Sequence, residues 1–332
     1  MKNDTGPTEY PWYDDRVEAV HKERHTAQKN KGDQSETYNT PRKLYDYLDR
    51  HIWKQEEAKK AVSLIMYHCL HGIKTNAMFI GPTGCGKTYI WNCLKRIFPN
   101  RIEIVDSSHI TMDGWKGTTK WRDLFSSRTF FSGEPCVLVM DEADKMLSPK
   151  YSYSENVSHG TQSEGLKLLE GTYIDIKDGP VVHEIDTSKI SFVLCGAFSN
   201  KAHDVAEKNA GGRIGFGASP KTAVQPYAKP LGAQDLIDFG VMPEFMGRIQ
   251  RIVNLEPMTV EDYYKMTDSS LGFLAHIQKQ YQANIQLTPQ KRRELAELVS
   301  RTGLGIRGME NQIRQLIDNA LFEDCERHCF EF

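Results

Sequence analysis

The sequence predicts an α/β fold, with a five-stranded parallel sheet flanked by helices and a small helical domain after it. Three observations predict it. A glycine-rich pattern at 81–88 directly follows an apolar run at 77–80. Four more short segments, at 102–106, 136–141, 190–195 and 249–255, read as strands of the same sheet, those at 136–141 and 190–195 as buried ones. Beyond Glu256-Pro257 the apolar residues change to helical spacing and keep it. The expected divisions are a polar arm at 1–40, a large α/β domain at 41–255 and a helical domain at 256–332.

Composition narrows the class. A chain of 332 residues, 39% hydrophobic and 26% charged, has the material for two packed globular domains. A formal charge of −2 argues against a broad electrostatic surface for nucleic acid. No apolar run approaches a membrane span and the N-terminus shows no signal-peptide pattern, so a cytoplasmic location is expected. The seven cysteines form no C-x-x-C pair, which indicates neither a zinc site nor a disulfide framework. Cys325 and Cys329 read as ordinary thiols on a helical tail.

Taken in order, residues 1–40 are polar, with one aromatic cluster, Tyr10-Pro11-Trp12-Tyr13. Helical spacing starts at Pro41 with Leu44, Tyr47 and Leu48, and resumes through Ala58, Val62, Ile65 and Leu70. The stretch Gly81-Pro82-Thr83-Gly84-Cys85-Gly86-Lys87-Thr88 then fits G-x-x-x-x-G-K-[ST]. Glycines let the loop curl round a polyphosphate, and its N–H groups and the following helix N-terminus offer partial positive charge. Lys87 has the reach for the β- and γ-phosphates, and the Thr88 hydroxyl suits Mg²⁺. These residues imply a site for ATP or GTP.

A helix is expected at 89–98 and a strand at 102–106. Trp115 and Lys116 lie between Gly114 and Gly117, outside any periodic segment, where the indole is either a surface plug or a contact residue. The strand at 136–141 ends in Asp141-Glu142. Downstream of a phosphate loop the first acid belongs beside Mg²⁺ and the second can polarise the attacking water. Residues 148–163, rich in Ser, Tyr and Asn, read as a loop, followed by a helix through Leu166, Leu168 and Leu169 that ends at Gly171. Residues 209–232 hold too much glycine and proline for a regular element.

With these motifs in place, the chain resembles AAA+ ATPases, and among them the ClpX-type protein unfoldases, from about Pro41 to Leu321. Besides the phosphate loop, the matching stretches include Gln55-Glu56-Glu57-Ala58-Lys59-Lys60, Asp141-Glu142-Ala143-Asp144-Lys145 and Leu168-Leu169-Glu170-Gly171-Thr172. Cys195-Gly196-Ala197-Phe198, Val241-Met242-Pro243-Glu244-Phe245-Met246-Gly247-Arg248 and Gly305-Ile306-Arg307-Gly308 complete the ordered set. The resemblance implies a P-loop large domain with a small C-terminal helical lid, ATP and Mg²⁺ as cofactors, a homo-hexamer, and protein substrates threaded through its pore. It makes Arg248 an arginine finger acting on the neighbouring subunit's ATP, and Arg307 a lid residue that senses nucleotide. Ile52 and Tyr89 fall where the family holds its nucleotide. Trp115 and Lys116 occupy the pore-loop position, and Ile214, Gly215 and Phe216 the loop that docks on a ClpP-like peptidase.

Some positions depart from the family pattern. No amino-terminal zinc-binding module of the family's kind is expected from residues 1–40, which have no cysteine to form it. The second pore segment reads His159-Gly160-Thr161-Gln162, and the loop near Val182-His183-Glu184 is less basic than usual. Cys195, Ser199 and Asn200 all remain open as the polar sensor after the fourth strand. Two alternatives to an unfoldase stand beside it: a remodeller of specific complexes that works without a protease, and an AAA+ nucleic-acid motor, which the charge disfavours.

Overall fold

The structure, a computed structural model, describes residues 34–112, 119–152, 155–209, 226–268, 273–325 and 328–332. Its centre is a sheet of five parallel strands, β1 (Ala77–Ile80), β2 (Ile102–Asp106), β3 (Cys136–Asp141), β4 (Ile190–Gly196) and β5 (Arg251–Asn254), in the spatial order β2-β3-β4-β1-β5. The register sets Ile80 between Gly196 and Asn254, and Asp106 opposite Asp141. The carboxyl ends of β1, β3 and β4 therefore open on one edge, where parallel α/β sheets bind their ligands.

The alternation of side chains along each strand builds two cores. Met78, Ile80, Leu138, Met140, Phe192 and Leu194 face one side and meet Leu168 and Leu169 of a long helix, α4 (Val157–Glu170). Phe79, Val137, Val139, Val193 and Cys195 face the other, against α1 (Pro41–Asp49), α2 (Glu56–Leu70) and α3 (Lys87–Lys95). Burying a large aliphatic or aromatic side chain stabilises by roughly 1.5–3 kcal/mol. With both faces covered, even the four-residue β1 is held firmly. The Phe79 ring packs edge-on against the fully buried Trp91 of α3, with centroids 5.8 Å apart.

A third core lies among α5 (Val260–Met266), α6 (Phe273–Tyr281), α7 (Pro289–Thr302) and α8 (Gly305–Glu323), around Tyr263, Ile277, Leu295, Val299, Ile313 and Ile317. Thr259 and Asp262 cap α5 reciprocally, Thr288 caps α7, and Gly303 ends it with a left-handed φ of 65°.

Two sequence expectations are corrected. The segment at 148–163 is not all loop, because α4 already starts at Val157, with the Asn156 side chain accepting from Ser158 N–H. Ser158, Thr161 and Gln162 in that stretch are buried. Gln162 accepts from Met242 N–H at 2.8 Å and donates to the Gly240 carbonyl at 3.1 Å. Gly165 gives way to the Trp121 indole, which a Cβ there would approach to 2.6 Å. The C-terminal tail is not helical throughout either. Cys329–Glu331 forms a short strand parallel to Asn284–Gln286, because Phe330 alternates inward between two exposed neighbours and joins the third core.

Candidate nucleotide site

The loop between β1 and α3 has the conformation its glycines permit. Gly84 and Gly86 take φ of 75° and 101°, values that L side chains rarely adopt. A Cβ built on Gly86 would meet no atom within 4 Å, so open room lies beside the loop there. Lys87 and Thr88 begin α3. The Lys87 ammonium is nearly buried and donates to the Gly81 and Pro82 carbonyls at 2.7 and 2.9 Å. Cys85 is buried, and burial pushes its thiol up.

From β3 comes the acidic side. Thr88 Oγ1 donates to Asp141 Oδ2 at 2.7 Å, so the phosphate-loop hydroxyl and the strand-end carboxylate share one spot. These are hard oxygen donors, and they fit Mg²⁺, which takes one or two protein ligands and completes its shell with water and phosphate oxygens. Among the described residues no group of three or more His, Cys, Asp or Glu could hold a metal. Glu142 has a left-handed backbone, φ 56°, uncommon for a side chain of its size. Its N–H donates to Asp141 Oδ1 at 3.0 Å and its carboxylate accepts from Lys145 Nζ at 2.5 Å. Such strain collects at functional sites.

The end of β4 completes the floor. Cys195 is fully buried among groups that include Asp141, Lys87 and Cys85, and burial drives its thiol far above the ordinary range. Ser199 and Asn200 are exposed, and the Ser199 hydroxyl meets Tyr227 Oη at 3.1 Å. Of the three open sensor positions, Cys195 is the one inside the site.

The helical region touches the loop directly. Ile306 N–H donates to the Gly84 carbonyl at 3.2 Å, and a Cβ on Gly305 would come within 2.6 Å of Gly84 Cα. Arg307 therefore stands, exposed, in the first turn of a helix that abuts the phosphate loop. Ile52 is half-buried against the second core, and Tyr89 is exposed beneath the Arg96 guanidinium.

Sequence reasoning missed the turn that joins these parts. Lys54 and Gln55 both have left-handed backbones, φ 60° and 65°. The Gln55 amide pairs with both backbone groups of Glu256, at 2.8 and 2.9 Å, and reaches the Cys85 carbonyl at 3.4 Å. The Lys54 ammonium bridges the Pro257 carbonyl, Glu256 and Asp262, while Trp53 Nε1 donates to Asp262 at 3.2 Å. Burial raises the Asp262 carboxyl, but hydrogen bonds from Thr259, Lys54 and Trp53 outweigh it and hold the group below its usual range. Residue types give no sign of two successive positive φ angles at Lys-Gln.

Arg248 stands apart from this cluster, just past the short helix Pro243–Met246. Its guanidinium pairs with Glu170 and donates to the Glu244 carbonyl, and its buried Nε has no partner among the described residues. Trp115, Lys116, Ile214, Gly215 and Phe216 lie outside the described residues.

A strand-loop-helix phosphate cradle with an aspartate from the next-but-one strand, roofed by a helical region, defines a P-loop ATPase. Residues 73–252 match the model of the AAA domain (Cdc48 subfamily), more than half of the chain, and the chain belongs to that family. It is also similar to the ATP-dependent Clp protease ATP-binding subunit ClpX of Treponema denticola, 29% identical over 329 residues, covering 88% of this chain and 79% of that protein. Both matches agree with the ClpX-type AAA+ resemblance carried by the motifs. No described helix is long and apolar enough to cross a membrane.

Proposed function

We propose that this protein is an ATP-dependent protein unfoldase that assembles as a homo-hexamer, threads polypeptides through the ring's pore and delivers them to a ClpP-like peptidase. The observation that carries the reading is the direct seat of the lid on the loop. Ile306 and Gly305 rest on Gly84, so a change in the phosphate loop changes what the lid rests on. The similarity to ClpX supports the coupling of that movement to a protein chain.

In this reading Lys87 leaves its loop carbonyls to meet the β- and γ-phosphates, while Ile52 and Tyr89 flank the base and Arg307 reads the nucleotide from the lid. Thr88 and Asp141 would hold Mg²⁺, which when bound would supply Lewis-acid polarisation of the phosphoryl oxygens. Glu142 orients the attacking water, and Arg248, freed from Glu170, reaches the γ-phosphoryl oxygens of the neighbouring subunit's ATP. There a permanently charged fork stabilises the spread charge. Trp115 grips any apolar or mixed segment with a flat ring. Lys116 adds one cation per subunit to the pore and biases the grip towards acidic stretches. Ile214, Gly215 and Phe216 present an apolar tip to a cleft on the peptidase ring.

The test is a trap. Glu142→Gln is expected to bind ATP without turning it over and to co-purify with unfolded proteins and a ClpP-like peptidase. Nucleic acid in their place, or ATPase stimulation by DNA and not by unfolded protein, would overturn the reading. Loss of the peptidase alone from the Phe216→Ala trap would locate its docking loop.

A further inference from the structure

Just ahead of β1, residues 74 and 76 sit two apart on an extended lead-in, so their side chains reach to the same side. Both reach the end of α4. Lys74 Nζ donates to the carbonyls of Leu168 and Thr187, each at 2.9 Å. Asn76 Nδ2 donates to the carbonyls of Leu169 and Arg248, each at 3.1 Å, and its Oδ1 accepts from Phe192 N–H on β4 at 3.1 Å. The last four carbonyls of a helix have no partner within it, and a cation is favoured there. Here the two donors come from the strand that carries the phosphate loop, and not from solvent or from the helix's own cap.

The same lead-in grips Arg248 from its other side. Asn76 N–H donates to Gln250 Oε1 at 2.6 Å, and Gln250 N–H donates to the Asn76 carbonyl at 3.0 Å. The Arg248 guanidinium then closes the circuit on Glu170, the residue after Leu169. Three pieces far apart in sequence, the β1 lead-in, the end of α4 and the Arg248 turn, thus form one bonded triangle. Asn76 is 1% exposed and its amide is fully used. Among the described residues Lys74 makes no ion pair, although it lies over the Phe192 ring at 5.0 Å. An amine in this place spends its hydrogens on geometry and not on a counter-charge.

We infer that Lys74 and Asn76 are positioning residues that lock Arg248 to the phosphate-loop strand of its own subunit, so that the nucleotide state of one site sets the placement of the arginine offered to the next. The inference rests on the reading of Arg248 as a finger acting in trans. It goes beyond that reading in naming what carries the signal between neighbouring sites: main-chain carbonyls held by two side chains.

The experiment compares Asn76→Asp, Lys74→Met and Gln250→Ala with Arg248→Ala, singly and combined, in the full chain. The readouts are steady-state ATPase, binding of a fluorescent ATP analogue and thermal melts. Each clamp variant is expected to lower kcat between about tenfold and a hundredfold, the scale of a small misplacement of a catalytic group, with nucleotide affinity unchanged. In an Arg248→Ala background the same substitutions are expected to cost no further kcat while still lowering Tm. A merely structural role would multiply the two losses instead. Folded clamp variants with full kcat, or losses that multiply with that of Arg248→Ala, overturn the inference. Should Asn76→Asp fail to fold, Lys74→Arg, which keeps the cation, is expected to retain more turnover than Lys74→Met, and equal loss in both overturns it. If Arg248→Ala itself keeps full turnover, the trans-finger reading fails first, and that result is distinct from failure of the clamp.

Discussion

Glu142 is the residue at which strain and chemistry coincide. Its left-handed backbone places its N–H on Asp141 Oδ1 and leaves the carboxylate on the more exposed Lys145. The acid next to the proposed metal ligand is therefore held by its main chain while its side chain is free to exchange partners. Glu142→Gln is expected to lose about 10²–10⁴ in turnover, the range for a positioned acid or base, without weakening nucleotide binding. A variant that hydrolyses ATP at the native rate would show that Glu142 does not orient the water. Gly305 makes a second case. Its φ of 66° and its packing on Gly84 leave no room for a Cβ. Gly305→Ala is expected to cost about 1 kcal/mol or more of stability from the backbone alone. It should also lower ATPase turnover, because the lid is pushed off the loop. Unchanged melts and unchanged turnover would contradict the packing.

Among the elements, α4 and the β1 lead-in separate what the sequence announces from what it hides. The central strands β1, β3 and β4 were legible because each is buried on both faces and so appears as a nearly unbroken apolar run. The loop glycines, Lys87, Thr88 and Asp141 were legible because phosphate and metal chemistry restricts residue type and spacing. The first half of α4 was not, since Ser158, Thr161 and Gln162 are polar and yet buried by partners far along the chain. Gln162→Leu would take the Gln162 partner from the Met242 N–H and the Gly240 carbonyl, both partly buried, at a cost of up to about 1–3 kcal/mol for each group. Urea unfolding is expected to show a loss of that order. Lys74 supplies a pH signature. Burial lowers its amine from the ordinary 10.5 to about 8, against the upward pull of Asp186 and Glu170. Between those pH values the unfolded chain holds a proton that the native protein has released, so this group makes stability rise as pH rises from about 8 towards 10.5. Comparing native protein with Lys74→Met over that window is expected to show the rise in the native protein only; parallel curves would contradict it.

For the whole molecule, the sites within one chain are assembled and Arg248 stands apart from them. Lys87, Thr88, Asp141 and Glu142 gather at the open edge of the sheet, with the lid seated on Gly84. Arg248 is held away on Glu170, with a buried Nε that has no partner among the described residues. Spacing and periodicity alone give Arg248 no place in the site; only the family resemblance assigns it a role, because the proposed partner of that guanidinium belongs to another copy of the chain. The central claim is that ATP is cleaved between subunits. Lys87→Ala and Arg248→Ala are each expected to keep only a small residual turnover alone. Mixed in one ring, they create interfaces in which an intact phosphate loop faces an intact Arg248. ATPase activity that rises on mixing is the predicted result; a mixture no more active than its parts, or full turnover by Arg248→Ala alone, would contradict the account.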